Sequence, residues 1–188
     1  MNLIIFGPPG AGKGTQAEFI VNKYDLYQLS TGEVLRNEIK NKTELGKEIS
    51  SIINSGSLVS DDIVKKLVEV FISEKKYKNR LIFDGYPRNL NQAKTLKELL
   101  SKYGQKIDLV LKLSVSLETI IKRILERRTL EKRADDSKEI AIKRYKTYEK
   151  STEPVIEYYK KLNLLKVIDG ERSIDQINKE ISDIISLI

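Results

Sequence analysis

The stretch Gly7-Pro-Pro-Gly-Ala-Gly-Lys-Gly-Thr15 decides the fold of this chain. It follows the apolar run Leu3–Phe6 and precedes a segment of helical periodicity, which predicts a strand, a glycine turn and a helix. The glycines permit positive φ angles that turn backbone N–H groups toward an anion, and Lys13 adds a cation. A glycine-rich turn beside a surface lysine is the alternative interpretation. The order and spacing of the motif, between strand and helix, favour a phosphate-binding loop.

The position of the hydroxyl departs from the common form of this loop. In the usual motif Ser or Thr follows the lysine directly, whereas here Gly14 follows Lys13 and the hydroxyl comes at Thr15. We therefore expect no direct protein ligand to Mg²⁺. Phosphates and waters should hold the ion, because Mg²⁺ readily keeps several waters.

The composition limits the chemistry. The chain has 188 residues, 40% hydrophobic and 32% charged, which is typical of a globular domain with a substantial core. It contains neither His nor Cys, which excludes Ser-His-Asp and Cys-His nucleophile systems, thiol redox chemistry and Cys/His zinc sites. Catalysis must therefore use lysines, arginines, carboxylates, backbone dipoles or a bound metal.

The net charge suggests anionic partners. The net charge is +7, but Lys and Glu interleave along most predicted helices and no basic tail is present. A nucleic-acid partner therefore has little direct support.

No run is long enough to cross a bilayer, and Met1-Asn2 leads directly into a predicted strand. We expect a cytoplasmic monomer without membrane or nucleic-acid partners.

Short apolar segments alternate with longer helical patterns. We predict strands at residues 2–6, 27–29, 80–84, 108–113 and 165–168. We predict helices at residues 13–24, 32–40, 44–55, 60–75, 91–103, 117–127, 138–162 and 174–187. This alternation predicts an α/β fold with a five-stranded parallel sheet covered on both faces, and a ligand outside the carboxyl ends of its strands. Residues 30–59 are long enough for an inserted helical lobe, and residues 129–137 form a polar stretch of the size of a mobile cover.

One carboxylate and several arginines are candidates for the chemistry. Asp84 ends a predicted strand, and a tight turn with Arg88 follows it, so a nucleotide site is favoured over a simple helix cap. Arg123 and Arg127 share a helix face. A solvated surface is the alternative for any single arginine, whereas the set, which also includes Arg133 and Arg144, favours a phosphate site.

Six motifs together resemble the adenylate kinase family, in order and over essentially the whole chain. They are residues 7–16, residues 29–32 with Arg36, residues 55–59, residues 83–88 with Gln92, residues 133–136 and Asp169-Gly170. The short segment between the predicted helices at residues 117–127 and 138–162 is similar to the lid of the short-lid form of the family, which lacks a zinc-bearing insertion. The resemblance implies a P-loop NTPase three-layer fold in one kinase domain over residues 1–188, with an AMP-binding lobe at about 30–59 and a lid at about 127–137. It implies the reaction MgATP + AMP = 2 ADP, with Mg²⁺ as cofactor and no zinc.

The resemblance also implies a role for individual residues. The implied ATP site comprises Gly10, Ala11, Gly12, Lys13, Gly14, Thr15, Arg123, Arg127 and Arg172. The implied AMP site comprises Thr31, Arg36, Ser57, Leu58, Val59, Gly85, Tyr86, Pro87, Arg88, Gln92, Arg133 and Arg144. The implied catalytic groups are Lys13, Arg88, Arg127, Arg133, Arg144 and Asp84, the last orienting a metal-bound water. Ser57 and Tyr86 stand where relatives often have other residues, but backbone contacts and an aromatic ring are retained.

Two other functions stay open. A UMP/CMP kinase shares the short lid and most of the arginines, although Thr31 and Gln92 favour adenine because a hydroxyl and an amide can pair with its N6 and N1 edges. A P-loop ATPase or a nucleic-acid-associated switch would hydrolyse its nucleotide without an acceptor. Scattered aromatic residues argue against the nucleic-acid form.

Overall fold

A computed structural model describes residues 1–131 and 136–188 of the chain. Arg133 and the central part of the predicted lid lie outside these residues. The strands are β1 (Leu3–Phe6), β2 (Tyr27–Ser30), β3 (Leu81–Asp84), β4 (Leu109–Ser114) and β5 (Leu165–Asp169). The helices are α1 (Lys13–Tyr24), α2 (Thr31–Lys40), α3 (Glu44–Asn54), α4 (Asp61–Ser73), α5 (Leu90–Lys102), α6 (Leu117–Glu131), α7 (Lys138–Ser151), α8 (Glu153–Lys161) and α9 (Ile174–Ile185), with a 3₁₀ turn at Lys75–Tyr77.

The strands form one parallel sheet in the order β2-β3-β1-β4-β5. In the middle of the sheet Ile4 of β1 pairs with Phe83 of β3 on one side and with Val110 of β4 on the other. The chain runs from β1 outward to β2, returns through β3, and then passes β1 to reach β4 and β5. The strand order therefore reverses beside β1, which is where open α/β sheets bind ligands. The predicted five-stranded α/β fold is confirmed.

Alternating side chains of the sheet build two cores, one on each face. Leu3 and Ile5 of β1 pack with α1 and α9, whereas Ile4 and Phe6 face the layer of α2 to α5 and α8. All four side chains are buried, and each such burial contributes about 1.5–3 kcal/mol. The two cores hold the carboxyl edge of the sheet in place. Within the described ranges, no helix is both long and apolar enough to cross a membrane.

Two of the predicted helices differ from the structure by more than two residues. The predicted helix at residues 138–162 is two helices, because α7 ends at Ser151 and α8 begins with Pro154 in its first turn. Proline has no N–H to continue the α7 hydrogen-bond ladder. Helix α6 continues beyond Arg127 to Glu131, since the good helix formers there extend its last turn. The predicted cover at residues 129–137 therefore starts inside a helix, and residues 132–135 are outside the described part of the chain.

Candidate active site

A cavity of about 820 Å³ opens at the carboxyl edge of the sheet. Its size is that of a small-molecule site. The glycine loop after β1, the start of α2, the turn after β3 and helices α6 and α7 all contribute to its walls. The predicted site residues that line it are Gly10, Gly12, Lys13, Gly14, Thr15, Thr31, Arg36, Ser57, Leu58, Val59, Asp84, Gly85, Pro87, Arg88, Gln92, Arg123, Arg127 and Arg144.

The glycine loop depends on two positive φ angles. Gly10 has φ 85° and Gly12, the residue before α1, has φ 91°. A Cβ at Gly10 would lie 3.0 Å from Ile124 Cγ1 and 3.1 Å from the Ile120 carbonyl oxygen. The loop thus combines left-handed backbone with close packing against α6, which L side chains do not allow. The result is a rigid turn at the positive end of α1.

Lys13 folds back over this loop. Its Nζ donates to the carbonyl oxygens of Gly7 at 2.8 Å and Pro8 at 3.1 Å. Its pKa is lowered to about 8, with burial as the largest cause and the Asp84 carboxylate opposing it. Three guanidinium groups lower the pKa further, those of Arg88, Arg144 and Arg127. Positive charge is therefore concentrated where an anion would be stabilised.

Asp84 is a buried carboxylate in the wall of the cavity, which Glu18 and Glu33 also line. It lies at the end of β3, is 8% exposed, and accepts a hydrogen bond from Gln28 Nε2 at 3.1 Å. Thr15 also lines the cavity and offers a hydroxyl oxygen. The residues that the structure describes contain no cluster of three His, Cys, Asp or Glu side chains that could cage a metal. These oxygen atoms fit Mg²⁺, which prefers oxygen ligands and keeps waters and substrate phosphates around it.

The arginines of α6 and α7 meet at a buried carboxylate that sequence reasoning did not assign. Asp136 is fully buried, and Arg127 donates to it from Nε at 2.7 Å and from Nη2 at 2.6 Å. Arg144 Nη1 lies 3.5 Å from the same carboxylate. The two hydrogen bonds from Arg127 fix the plane of its guanidinium group. The sequence signal for this carboxylate was the pair of acidic residues that follows Arg133. The arginines that bind Asp136 could not be identified from the local sequence.

Two more arginines meet beside Gly32, at the start of α2. A Cβ at Gly32 would lie 3.2 Å from Arg36 Nη1 and 3.6 Å from Arg88 Nη2. Arg88 Nε donates to the Gly85 carbonyl oxygen at 2.7 Å, which holds its side chain across the turn after β3. These two guanidinium groups form a second basic region on the α2 side of the cavity.

The polar side chains of this second region are already hydrogen-bonded. Thr31 Oγ1 donates to the Gly85 carbonyl oxygen at 3.0 Å. The Gln92 side chain is 3% exposed; its Oε1 accepts from the Arg88 backbone N–H at 2.6 Å and its Nε2 donates to Asp61 at 2.7 Å. Tyr86 is buried and donates to the Gln92 carbonyl oxygen at 3.2 Å. Each group therefore has a defined orientation.

Asp61, the first residue of α4, was not predicted as a site residue. Its pKa stays below the usual range: partial burial raises it, but hydrogen bonds from Asn91, Asn89 and Gln92 lower it more. These donors begin α5, so Asp61 joins the starts of two helices. No local pattern in the sequence indicates this, because the partners are about thirty residues apart.

The tip of the predicted lobe rests on α7. Gly56 has φ 72°, and a Cβ there would lie 3.0 Å from Arg144 Cγ and 3.1 Å from Ile140 Cγ2. Lys143 Nζ donates to the Ser55 carbonyl oxygen at 2.7 Å. The lobe and the arginine-bearing helix are thus in direct contact.

Three predicted residues lie apart from the cavity walls. The side chains of Ala11 and Tyr86 are buried in the cores on the two faces of the sheet, and Arg172 pairs with Glu180 on α9. Arg123 connects the loop with the β5 end, since its Nη2 donates to the Gly170 carbonyl oxygen at 3.0 Å. The roles assigned to all these residues stay predictions. The prediction from sequence missed other residues that line the cavity, among them Gln28, Thr147, Tyr148 and Thr152.

Comparisons with known proteins agree with this geometry. The sequence profile described as "Adenylate kinase" matches residues 5–164. An adenylate kinase of Pelagibacter ubique is 45% identical over 213 aligned positions that cover all of both chains. One of Fusobacterium nucleatum is 42% identical over 98% of each chain, and one of a Caulobacter species is 40% identical over 100% of each.

Proposed function

Because this chain belongs to the adenylate kinase family, we propose that it catalyses the reversible phosphoryl transfer MgATP + AMP = 2 ADP. The observation that carries this function is a cavity in which a phosphate-binding loop faces a second basic region. Such an arrangement suits two anionic nucleotides placed end to end. A UMP/CMP kinase is not favoured, since the similar curated proteins are named adenylate kinases.

The glycine loop is proposed to bind the phosphates of ATP. Backbone N–H groups of residues 10–15 and the positive end of α1 would surround the anion, and Lys13 would move from its own loop carbonyls to the transferred group. Arg123, held between the loop and Gly170, would lie on the adenine side.

The arginines are proposed to stabilise the phosphoryl group in flight. This transfer needs positioning and charge neutralisation more than a covalent catalyst. Arg127 and Arg144 would act from the Asp136 side, and Arg88 from the acceptor side. Losing one well-placed donor costs about 3 kcal/mol, roughly a hundredfold in rate. Arg133 is proposed to join this set from the lid.

Mg²⁺, when bound with ATP, would supply positive charge that neutralises the phosphates. Asp84, with Thr15 nearby in the cavity wall, would orient the waters around that ion through hydrogen bonds. Gln28 holds the Asp84 carboxylate from one side and so keeps it directed.

The acceptor pocket is proposed to bind AMP. Arg36 and Arg88 would hold its phosphate beside Gly32, and Thr31, Gln92 and the backbone of residues 57–59 would surround the base. We propose that residues 30–59 and about 127–137 close over the two nucleotides, because a phosphoryl transfer must exclude water to avoid hydrolysis. Since the cavity contains groups for both nucleotides within one chain, we further propose a monomer, working in the cytoplasm where its nucleotides are present.

A coupled assay for ADP formation tests this function. The full chain, supplied with ATP, Mg²⁺ and AMP, should form ADP rapidly, and should do so far more slowly with UMP or CMP as acceptor. ATP alone should give little phosphate. Fast ATP hydrolysis without an acceptor, or transfer to CMP as fast as to AMP, would contradict the proposal.

A further inference from the structure

Asp61 receives three amide donors from the start of α5. Its Oδ1 accepts from Gln92 Nε2 at 2.7 Å and from Asn89 Nδ2 at 3.0 Å, and its Oδ2 accepts from Asn91 Nδ2 at 2.8 Å. Asp61 is not part of the cavity wall, whereas Gln92 is. Asp61 is therefore connected to the cavity by its hydrogen bond to Gln92.

The two ends of the Gln92 amide have different partners. The nitrogen faces the Asp61 carboxylate, which can only accept, and the oxygen faces the Arg88 backbone N–H, which can only donate. Turning the amide over would place oxygen against carboxylate and NH₂ against N–H. Both contacts would then be repulsive, so one orientation of the amide is fixed.

Thr31 has its polarity fixed in a similar way. Its hydroxyl hydrogen is donated to the Gly85 carbonyl oxygen, so its remaining capacity is that of an acceptor. Gln92 likewise has one further N–H on nitrogen and one further lone pair on oxygen. The two side chains together present fixed acceptors and a fixed donor to a base.

Purines differ in the polarity of the edge that such groups bind. Adenine has an amino donor at C6 beside the acceptor N1, whereas hypoxanthine and guanine have a carbonyl acceptor at C6 beside the donor N1–H. A reversed amide would match the 6-oxo bases as well as the present orientation matches adenine. The orientation of the Gln92 amide therefore determines which of the two classes of purine the site favours.

We propose that Asp61 is a positioning residue that selects 6-amino over 6-oxo purine monophosphates by fixing the orientation of the Gln92 amide. This inference rests on the proposed function, because it takes the pocket with Thr31 and Gln92 as the acceptor site. It adds Asp61, which lies outside the cavity wall, to the residues that determine the specificity of that site.

The test compares Asp61→Ala with Asp62→Ala, using AMP and IMP as acceptors. Asp62 is the next residue of the same helix turn and is exposed, so its variant loses the same charge at the same helix end. The ratio of kcat/KM for AMP to kcat/KM for IMP should fall about tenfold or more in Asp61→Ala and stay unchanged in Asp62→Ala. The change should appear mainly in KM for the acceptor, with KM for ATP unaltered.

A ratio of two substrates does not depend on how much of the enzyme is folded, so partial loss of stability does not hide the result. Asp61→Ser is the second variant if the alanine protein is insoluble, because a hydroxyl that rotates imposes no polarity on Gln92. In a double-mutant cycle, Asp61→Ala should change the ratio no further once Gln92→Ala is present.

The outcomes separate the inference from the function beneath it. Failure of the unaltered protein to phosphorylate AMP would overturn both. Normal AMP phosphorylation with the same AMP to IMP ratio in Asp61→Ala, or with an equal shift in Asp62→Ala, would overturn the role of Asp61 alone. A full additional effect of Asp61→Ala in the Gln92→Ala background would do the same.

Discussion

The glycine loop and the arginine cluster place positive charge around one cavity in two different ways. The loop uses nine consecutive residues, with backbone N–H groups, a helix end and Lys13, in a shape imposed by positive φ at Gly10 and Gly12. The arginine cluster consists of Arg127 on α6 and Arg144 on α7, whose side chains are held by one buried carboxylate, Asp136.

The two parts of the candidate phosphate site are therefore sensitive to different changes. The loop depends on local backbone geometry and is sensitive to a single methyl group. The cluster depends on tertiary packing and on one counter-charge, so it is sensitive to the loss of a single acceptor. Four experiments test this contrast.

Replacing Lys13 should have the largest effect. Lys13→Met keeps the aliphatic stem but removes the ammonium that would follow the transferred phosphoryl group, so kcat should fall by about a thousandfold or more with normal folding. Steady-state ADP formation and circular dichroism would measure this. Lys23→Met is the matched control, because Lys23 lies in the same helix and contacts Ser182 on α9. Near-normal turnover in Lys13→Met would remove the loop from the chemistry.

Removing the charge of Asp136 should be the next largest effect. Asp136→Asn keeps the shape of the side chain but removes the buried counter-charge that Arg127 and Arg144 share, so the protein should lose about 3 kcal/mol of unfolding free energy. Denaturant unfolding measures this value. Asp183→Asn, which breaks an exposed pair with Lys179, should change stability by less than about 1 kcal/mol. Equal losses in the two variants would mean that the cluster is not specially dependent on its carboxylate.

The loop contains its own matched pair of glycines. Gly10→Ala forces an L side chain into φ 85° against Ile124 and should cost about 2 kcal/mol together with much of the activity. Gly14 lies in the first turn of α1, where a methyl group would meet no atom of the described residues within 4 Å, so Gly14→Ala should change stability by less than about 1 kcal/mol. Thermal unfolding of both variants measures the difference. A stable, active Gly10→Ala protein would show that the loop shape is not essential.

The smallest effect is a proton linkage at Lys13. Its pKa of about 8 is below that of an unfolded lysine, so burial of the ammonium lowers the free energy of unfolding. This destabilisation is fully present below pH 8 and is relieved as the pH rises from about 8 to about 10.5. ATP phosphates should favour the ammonium, so binding near pH 8.5 should take up a fraction of a proton. Calorimetry of ATP binding in buffers of different ionisation enthalpy measures the uptake. Uptake of the same size in Lys13→Met would assign it to another group.

Local features of the site were predictable from sequence. The loop and the five strands follow from short motifs and apolar runs, and their bounds agree within about two residues. The break at Thr152 was missed although Pro154 marks it, because the helical pattern continues on both sides. Asp61 and Asp136 could not be predicted as anchors, since their partners come together only when α4 meets α5 and α6 meets α7.

Gly56 has a consequence for how this sequence can change over time. Because its missing side chain leaves room for the stem of Arg144, almost any mutation there would act as a wedge between the lobe tip and α7. A survey of viable variants should therefore find position 56 as intolerant as positions that touch phosphate, although glycine has no side chain to offer a nucleotide.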